Sequence, residues 1–287
     1  MLPARKVSRT IFEKSSSLID SPDVLLPGGL SPLGGDLEKF DVILPAGGRI
    51  DDHFARVALT PYKALINVQE SMIGYKVIDA VLGSERVGRT VLIASEEVKE
   101  KLGGRCTSVL KDTGDLTKNV MMGLQELKSL GNVSNRVLII TMDLPYLETK
   151  LIDQFLDLCP DVDLAVPLIS KEEYLDRFPS ATGTFAKLID GEWTVGCAYL
   201  FKPDVFIKAL PKIEQVVANR KSVPKLAGIL GLGFLWKVMT RSISVPEVVA
   251  KIEGVIGCKI AAVQMGPAEF AFDVDDIPDY EYALRNK

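Results

Sequence analysis

Three widely separated side chains could act together on a phosphate: Lys63, Asp143 and Asp275. Asp143 follows the apolar run Arg136–Thr141, in Met142-Asp143-Leu144-Pro145. A carboxylate at a strand end, fixed by a nearby proline, is well placed to hold a divalent cation, and magnesium takes one or two carboxylates plus substrate phosphates. Asp275 lies in a second acidic cluster, Phe272-Asp273-Val274-Asp275-Asp276. Asp273 and Asp275 alternate along an extended chain, so they point to one face. Lys63 directly precedes Ala64-Leu65-Ile66 and could face the ligand edge of a sheet. A further stretch, Asp41-Val-Ile-Leu-Pro-Ala-Gly-Gly48, runs an apolar strand into two glycines and then Arg49. Gly47 and Gly48 can adopt positive φ and turn their N–H groups toward phosphate oxygens. Arg49 and Lys63 would add positive charge there.

Each residue also has a plainer reading. Asp143 can serve a turn before Pro145. Asp276 can cap a final helix that starts near Pro278, leaving Asp275 for metal. Most lysines are solvated. His53 reads as a residue of the polar loop Asp51–Arg56. Thr113-Gly114-Asp115 precedes a long helix. Either Thr113 or Asp115 caps that helix, or its first turn meets a base or phosphate.

The elements that must position these groups alternate. Strand-like runs fall at Val42–Pro45, Thr90–Ala94, Thr107–Leu110, Val137–Thr141 and Leu164–Pro167, with helix-period segments at Met72–Leu82, Ser95–Leu102, Leu116–Leu130 and Thr149–Leu158. Apolar strands separated by amphipathic helices predict an α/β fold with a mostly parallel, doubly wound sheet in a three-layer sandwich. Ligands bind such sheets at the strands' carboxyl ends, where Gly47-Gly48 and Asp143 both fall. A hairpin is expected at Phe185–Ile189 and Trp193–Val195, turning at Asp190-Gly191. Ala198–Phe201, Lys259–Gln264 and Phe270–Val274 read as strands, 203–256 as helical, and Pro278–Asn286 as a closing helix.

A chain of 287 residues can bury a sizeable core, and its 47% hydrophobic and 25% charged content is that of an ordinary soluble globular protein. A net charge of −4 gives no reason to expect nucleic acid as a partner. A single histidine excludes a multi-histidine metal centre. Four cysteines at wide spacing match neither zinc nor a disulfide framework, so a cytoplasmic location is the expectation. Residues 1–40 carry Pro-Gly-Gly punctuation and read as a leader. The most apolar window, Leu226–Met239, is too short to span a bilayer. It reads as a buried helix pair, with a membrane-surface contact as the other reading.

Four stretches in this order resemble the MobA-like nucleotidyltransferase family: Val42-Ile-Leu-Pro-Ala-Gly-Gly-Arg49, Lys63-Ala-Leu-Ile-Asn-Val68, Thr141-Met-Asp-Leu-Pro145 and Asp273-Val-Asp-Asp-Ile-Pro-Asp279. Gly183–Phe201, with Gly191 and Gly196, resembles the family's acceptor-side hairpin. The resemblance covers roughly residues 41–287. It implies the nucleotide-diphospho-sugar transferase (GT-A-like, Rossmann-like) fold; the helical insertion at 203–256 is large for the smallest family members and would serve as a lid or a subunit contact in a homo-oligomer. It also implies transfer of an NMP group from an NTP to a phosphate-bearing acceptor, releasing pyrophosphate. Pro45, Ala46, Gly47 and Gly48 would line the nucleotide, with Gly196 on the acceptor side. Thr113 and Gly114 would lie near the base, Lys63 at the α-phosphate, and Asp143 and Asp275 on Mg²⁺. The chain departs from the family loop by its acidic insert Asp51-Asp52, so either Arg49 or Arg56 fills the phosphate role. A GT-A-like glycosyltransferase and a non-catalytic nucleotide-binding protein are the other readings.

Overall fold

The computed structural model describes residues 38–219, 223–264 and 266–286. The leader read over 1–40 lies outside them apart from its last three residues. In chain order the first half runs β1 (Phe40–Pro45), α1 (Asp52–Ala58), β2 (Asn67–Val68), β3 (Ser71–Met72), α2 (Ile73–Gly83), β4 (Val87–Ala94), α3 (Glu96–Leu102), β5 (Ser108–Lys111), α4 (Leu116–Ser129) and β6 (Val137–Ile140). The second half runs α5 (Thr149–Leu158), β7 (Leu164–Ser170), α6 (Lys171–Arg177), β8 (Ala186–Leu188), β9 (Gly191–Val195), β10 (Ala198–Phe201), α7 (Pro203–Asn219), α8 (Val223–Leu230), α9 (Leu232–Met239), α10 (Val245–Ile256), β11 (Ile260–Val263) and α11 (Ile277–Arg285).

Alternate residues of the central strands feed two separate cores, which is why the runs are apolar throughout. Ile43, Val91, Ile93 and Ile139 meet Val120, Leu124 and Leu127 of α4 on one face. Val42, Leu44, Leu92, Leu138 and Ile140 meet Val77, Ile78, Val98, Ile152 and Phe155 on the other, from α2, α3 and α5. The result is an α/β sandwich around a nine-stranded sheet ordered β5-β4-β1-β6-β10-β7-β9-β8, with β11 also paired to β7. β1 pairs in parallel with both β4 and β6, and β4 with β5. β10 is antiparallel to both β6 and β7, and β9 is antiparallel to β7 and β8. All strands of this sheet except β9 and β10 therefore run the same way. From β1 the chain steps outward to β4 and β5, then returns to β6 on the other side of β1. That reversal opens a crevice at the carboxyl ends of β1 and β6.

Helix starts follow their caps. Asp115 accepts from Thr117 N and Lys118 N at α4, so Asp115 rather than Thr113 is the cap. Capping boxes open α6 (Ser170, Glu173), α10 (Ser244, Glu247) and α11 (Asp276, Asp279), the last as expected for Asp276.

The structure corrects several expectations. The polar loop around His53 is helix α1, whose N-cap Asp51 accepts from His53 N and Phe54 N. Lys63, which the sequence places in the polar stretch before Ala64-Leu65-Ile66, starts a 3-10 turn, Lys63–Leu65. Phe270–Val274 is not a strand: a 3-10 turn covers Ala268–Ala271, and the extended chain after it joins no ladder. The expected helix pair at Leu226–Met239 is present as α8 and α9, but α9 is not buried: none of its residues is. The sequence reading missed α6 and the small β2–β3 hairpin.

Candidate functional site

The crevice is an open cleft of about 270 Å³. Pro45, Ala46, Gly47 and Gly48 form one wall as they leave β1, and Thr141, Met142 and Asp143 form another as they leave β6. Asp112, at the end of β5, contributes with Gly114, Leu116 and Asn119 from the loop and first turn of α4. Lys63 and Ala64 complete the lining.

The glycines work by close approach rather than by handedness. Neither Gly47 nor Gly48 has a positive φ. A Cβ on Gly47 would lie 2.6 Å from Asp112 Oδ2, and one on Gly48 would lie 3.2 Å from Lys63 Cδ. The bare backbone therefore lets a carboxylate and a lysine stem pack against the turn. Ala46 N donates to Ile93 O at 2.7 Å and Lys63 N to Gly48 O at 3.0 Å, so the turn is tied to β4 and to the lysine's own backbone. Among the described residues, neither the Gly47 nor the Gly48 N–H meets an acceptor. Both remain able to donate to an anion.

Lys63 Nζ lies 2.8 Å from Asp143 Oδ2 and also pairs with the Asp275 carboxylate. Burial alone would lower the pKa of this ammonium. Asp143 and Asp275 outweigh burial and hold it above the ordinary lysine value. Asp143 is 8% exposed, and its Oδ1 is buried without a hydrogen-bond partner among the described residues.

Asp273 completes the acidic group. Carboxylate oxygens of Asp143, Asp273 and Asp275 lie within 4.8 Å of one another. Burial, followed by repulsion from Asp143 and Asp275, pushes the Asp273 carboxyl up to about 7. Val274 N donates to Asp143 O at 3.0 Å, pinning this segment beside the end of β6. Phe272 anchors it further, with its ring centroid 4.8 Å from Phe178, 5.1 Å from Tyr146 and 5.3 Å from Tyr282. Such aromatic pairs contribute about 0.5–1.5 kcal/mol each beyond burial.

The donor set fits a hard divalent cation. Three carboxylates converge and one of their oxygens is buried and unpartnered, which is the all-oxygen donor chemistry such a cation takes. Oxygen donors of this kind suit magnesium and manganese alike.

Other expected residues fall elsewhere. Arg49 is a bridge partner of Tyr62, and its guanidinium sits 4.8 Å over that ring and donates to Tyr62 Oη at 3.3 Å, outside the cleft lining. Arg56 is exposed on α1. Thr113 does not line the cleft: its N–H and hydroxyl are both engaged by Asn119 Oδ1, at 3.0 and 2.8 Å. Gly196 also lies outside the lining, packed where a Cβ would come within 2.8 Å of Phe270 and Pro167.

Asp112 and Asn119, which the sequence reading missed, are joined at 2.6 Å through Asn119 Nδ2 and Asp112 Oδ1. The available signal was positional. Asp112 ends a strand on the same edge as Asp143, and Asn119 stands in the first turn of the helix that follows.

No protein-family model matches the chain, and no curated protein sequence matches it. A hypothetical transferase from Thermus thermophilus has a similar structure, with a TM-score of 0.74 and 28% identity over 83% of this chain and 97% of that one. A nucleotidyl transferase from Methanothermobacter thermautotrophicus aligns with a TM-score of 0.51 at 13% identity, covering 86% of this chain and 98% of that one. A 2-C-methyl-D-erythritol 4-phosphate cytidylyltransferase from Thermus thermophilus gives a TM-score of 0.50 at 13% identity, with 86% and 98% covered. The architecture shared with these structures is the nucleotidyltransferase fold.

Proposed function

We propose that this chain is a divalent-cation-dependent nucleotidyltransferase of MobA-like type, which moves an NMP group from an NTP to a phosphate-bearing acceptor. The observation that carries this reading is the meeting of Lys63 with Asp143 and Asp275 beside the Gly47-Gly48 turn, at the reversal point of the sheet. The neighbouring nucleotidyl- and cytidylyltransferase structures support it at the level of fold.

The reaction needs positioning and charge neutralisation more than a protein nucleophile. An oxygen of the acceptor phosphate attacks the α-phosphorus in line. The bond from that phosphorus to the oxygen bridging the α- and β-phosphates breaks, and pyrophosphate leaves with that oxygen. The free N–H groups of Gly47 and Gly48 hold triphosphate oxygens, and the nucleoside lies toward Gly114 and Leu116. Lys63 places its ammonium at the α-phosphate, where negative charge builds in the transition state. Asp143, Asp273 and Asp275 would hold a divalent cation, magnesium being the expected ion, which would supply the charge that lets a triphosphate enter a site lined by carboxylates.

The test is pyrophosphate release from each NTP with Mg²⁺ and a panel of sugar phosphates, alditol phosphates and molybdopterin-type acceptors. Release that needs both acceptor and metal, and is lost in Asp143→Ala, is the expected result. Nucleoside diphosphate release from a nucleotide-sugar would replace this reading with glycosyl transfer. NTP binding without turnover on any acceptor would leave a non-catalytic binding protein.

A further inference from the structure

The α8–α9 segment has an unusual combination of exposed apolar bulk and one-sided charge. Leu232, Trp236 and Met239 stand at i, i+4 and i+7, so they share one face of α9. They are 78%, 67% and 72% exposed. Phe234 and Leu235 on the same helix are half-covered, so α9 has an inner side and an outward apolar stripe about 10 Å long. In sequence the charged residues around it are all basic, and in the fold Arg241 also borders a cavity with Asp190 and Glu192. Between Glu214 and Glu247 stand Arg220, Lys221, Lys225, Lys237 and Arg241, with no aspartate or glutamate. Lys237 pairs with Glu247 at 2.9 Å. Lys225 and Arg241 are exposed and have no acidic partner among the described residues.

We infer that this face binds an anionic lipid surface, with α9 lying flat in the headgroup region. Tryptophan, leucine and methionine on one side with lysine and arginine around them is the composition of an interfacial helix. Trp236 has an apolar ring body and a polar N–H, which suits the boundary between headgroup and acyl chain. No helix among the described residues is long and apolar enough to cross a membrane, so the contact is peripheral. A second copy of the chain is a poorer occupant. A two-fold contact through this stripe would bring two basic, acid-free segments together, whereas an anionic bilayer complements them. The inference is independent of nucleotidyl transfer and is read without NTP.

The test is co-sedimentation of the full chain with vesicles of phosphatidylcholine containing about one-third phosphatidylglycerol, against phosphatidylcholine alone. Binding is expected on the anionic vesicles and should weaken as salt shortens the Debye length. Trp236→Ser should cut partitioning at least about tenfold, because it removes a large apolar side chain. Lys225→Ala and Arg241→Ala should each cost about fivefold. These side chains are exposed, so unchanged far-ultraviolet circular dichroism and thermal unfolding show that the variants fold. In a Trp193→Phe background, Trp236 is the one tryptophan left, and brominated lipid should quench it. Equal partitioning on neutral vesicles, no partitioning at all, or full binding by Trp236→Ser would overturn the inference. So would a dimer in sedimentation velocity that Trp236→Ser converts to monomer, because the stripe would then belong to a second copy.

Discussion

Lys63 Nζ reaches Asp143 Oδ2 at 2.8 Å although the two residues come from opposite sides of the sheet's reversal point. Lys63 arrives on a 3-10 turn bonded to the Gly48 carbonyl, and Asp143 arrives at the end of β6. Lys63→Met keeps the length of the stem and removes the charge. On the proposed reading, kcat falls about 10²–10³-fold while NTP affinity changes little, since the ammonium acts on charge that develops in the transition state. Steady-state kinetics paired with NTP titration by calorimetry separates the two effects. A variant with wild-type kcat would remove Lys63 from the chemistry.

The carboxyl of Asp273, raised to about 7 by burial and by Asp143 and Asp275, gives a pH signature with a definite sign. Its pKa is higher in the folded chain than in the unfolded one, so the metal-free fold binds this proton more tightly. The contribution to stability is complete below the unfolded carboxylate value and is lost as pH rises through about 7. A bound cation needs the ionised carboxylate, so affinity should rise with pH over the same interval, with proton release on binding. Manganese titration by calorimetry in buffers of different ionisation enthalpy measures that proton. Asp273→Asn should abolish the pH dependence and weaken affinity, while leaving the metal-free chain more stable than wild type at pH 8.

How much of this was legible in the sequence varied with the physics behind each feature. The core strands and the convergence of Gly47, Lys63 and Asp143 were readable, because apolar runs separated by amphipathic helices fix the strand ends on one edge. Helix α1 was not: it has seven residues, and of these only Phe54 and Ala58 are buried, so its periodicity is too brief to see. Phe270–Val274 alternates like a strand, yet the N–H of Val274 goes to the Asp143 carbonyl and the Phe270 carbonyl accepts from Cys197 N. Alternation reports extended chain and leaves the partner unspecified. Arg49 was placed by its neighbours in sequence, whereas its guanidinium settles on the Tyr62 ring, a contact no spacing rule encodes. The exposure of α9 was hidden for a similar reason, since apolar content does not say what covers it.

Gly47 and Asp112 should behave as a coupled pair. A methyl group on Gly47 would sit 2.6 Å from Asp112 Oδ2, so Gly47→Ala must displace either the turn or the carboxylate. Asp112 is held by Asn119 at 2.6 Å, so the turn is expected to move. NTP affinity should fall about tenfold or more in Gly47→Ala, with Asp112→Gly restoring part of the loss by opening space. The measure is a double-mutant cycle on NTP binding. Strict additivity of the two substitutions would show that they do not meet in solution.

Asp41 and Arg89 give a prediction on stability alone. Asp41 is 2% exposed inside β1. Its carboxylate accepts from Arg89 Nε at 3.0 Å, Arg89 Nη2 at 2.7 Å and Ser134 N at 2.9 Å. Burial pushes this carboxyl up, but the bonds from Arg89 and Ser134 win and hold it below its ordinary value. Arg89→Met leaves a buried carboxylate without its cation, which costs about 3–5 kcal/mol near neutral pH. The sign of the pH effect then reverses between the two proteins. In the wild type the folded value is depressed, so Asp41 stabilises above the unfolded carboxylate pKa and loses that contribution as pH falls through the folded one. In Arg89→Met burial dominates, the folded value rises, and protonation relieves the penalty. The deficit of the variant, read from urea midpoints across pH, should therefore be largest at neutral pH and shrink toward pH 4. A deficit that stays constant over that range would show that Arg89 stabilises through its stem and its bonds to the Leu127 and Asn132 carbonyls rather than through Asp41.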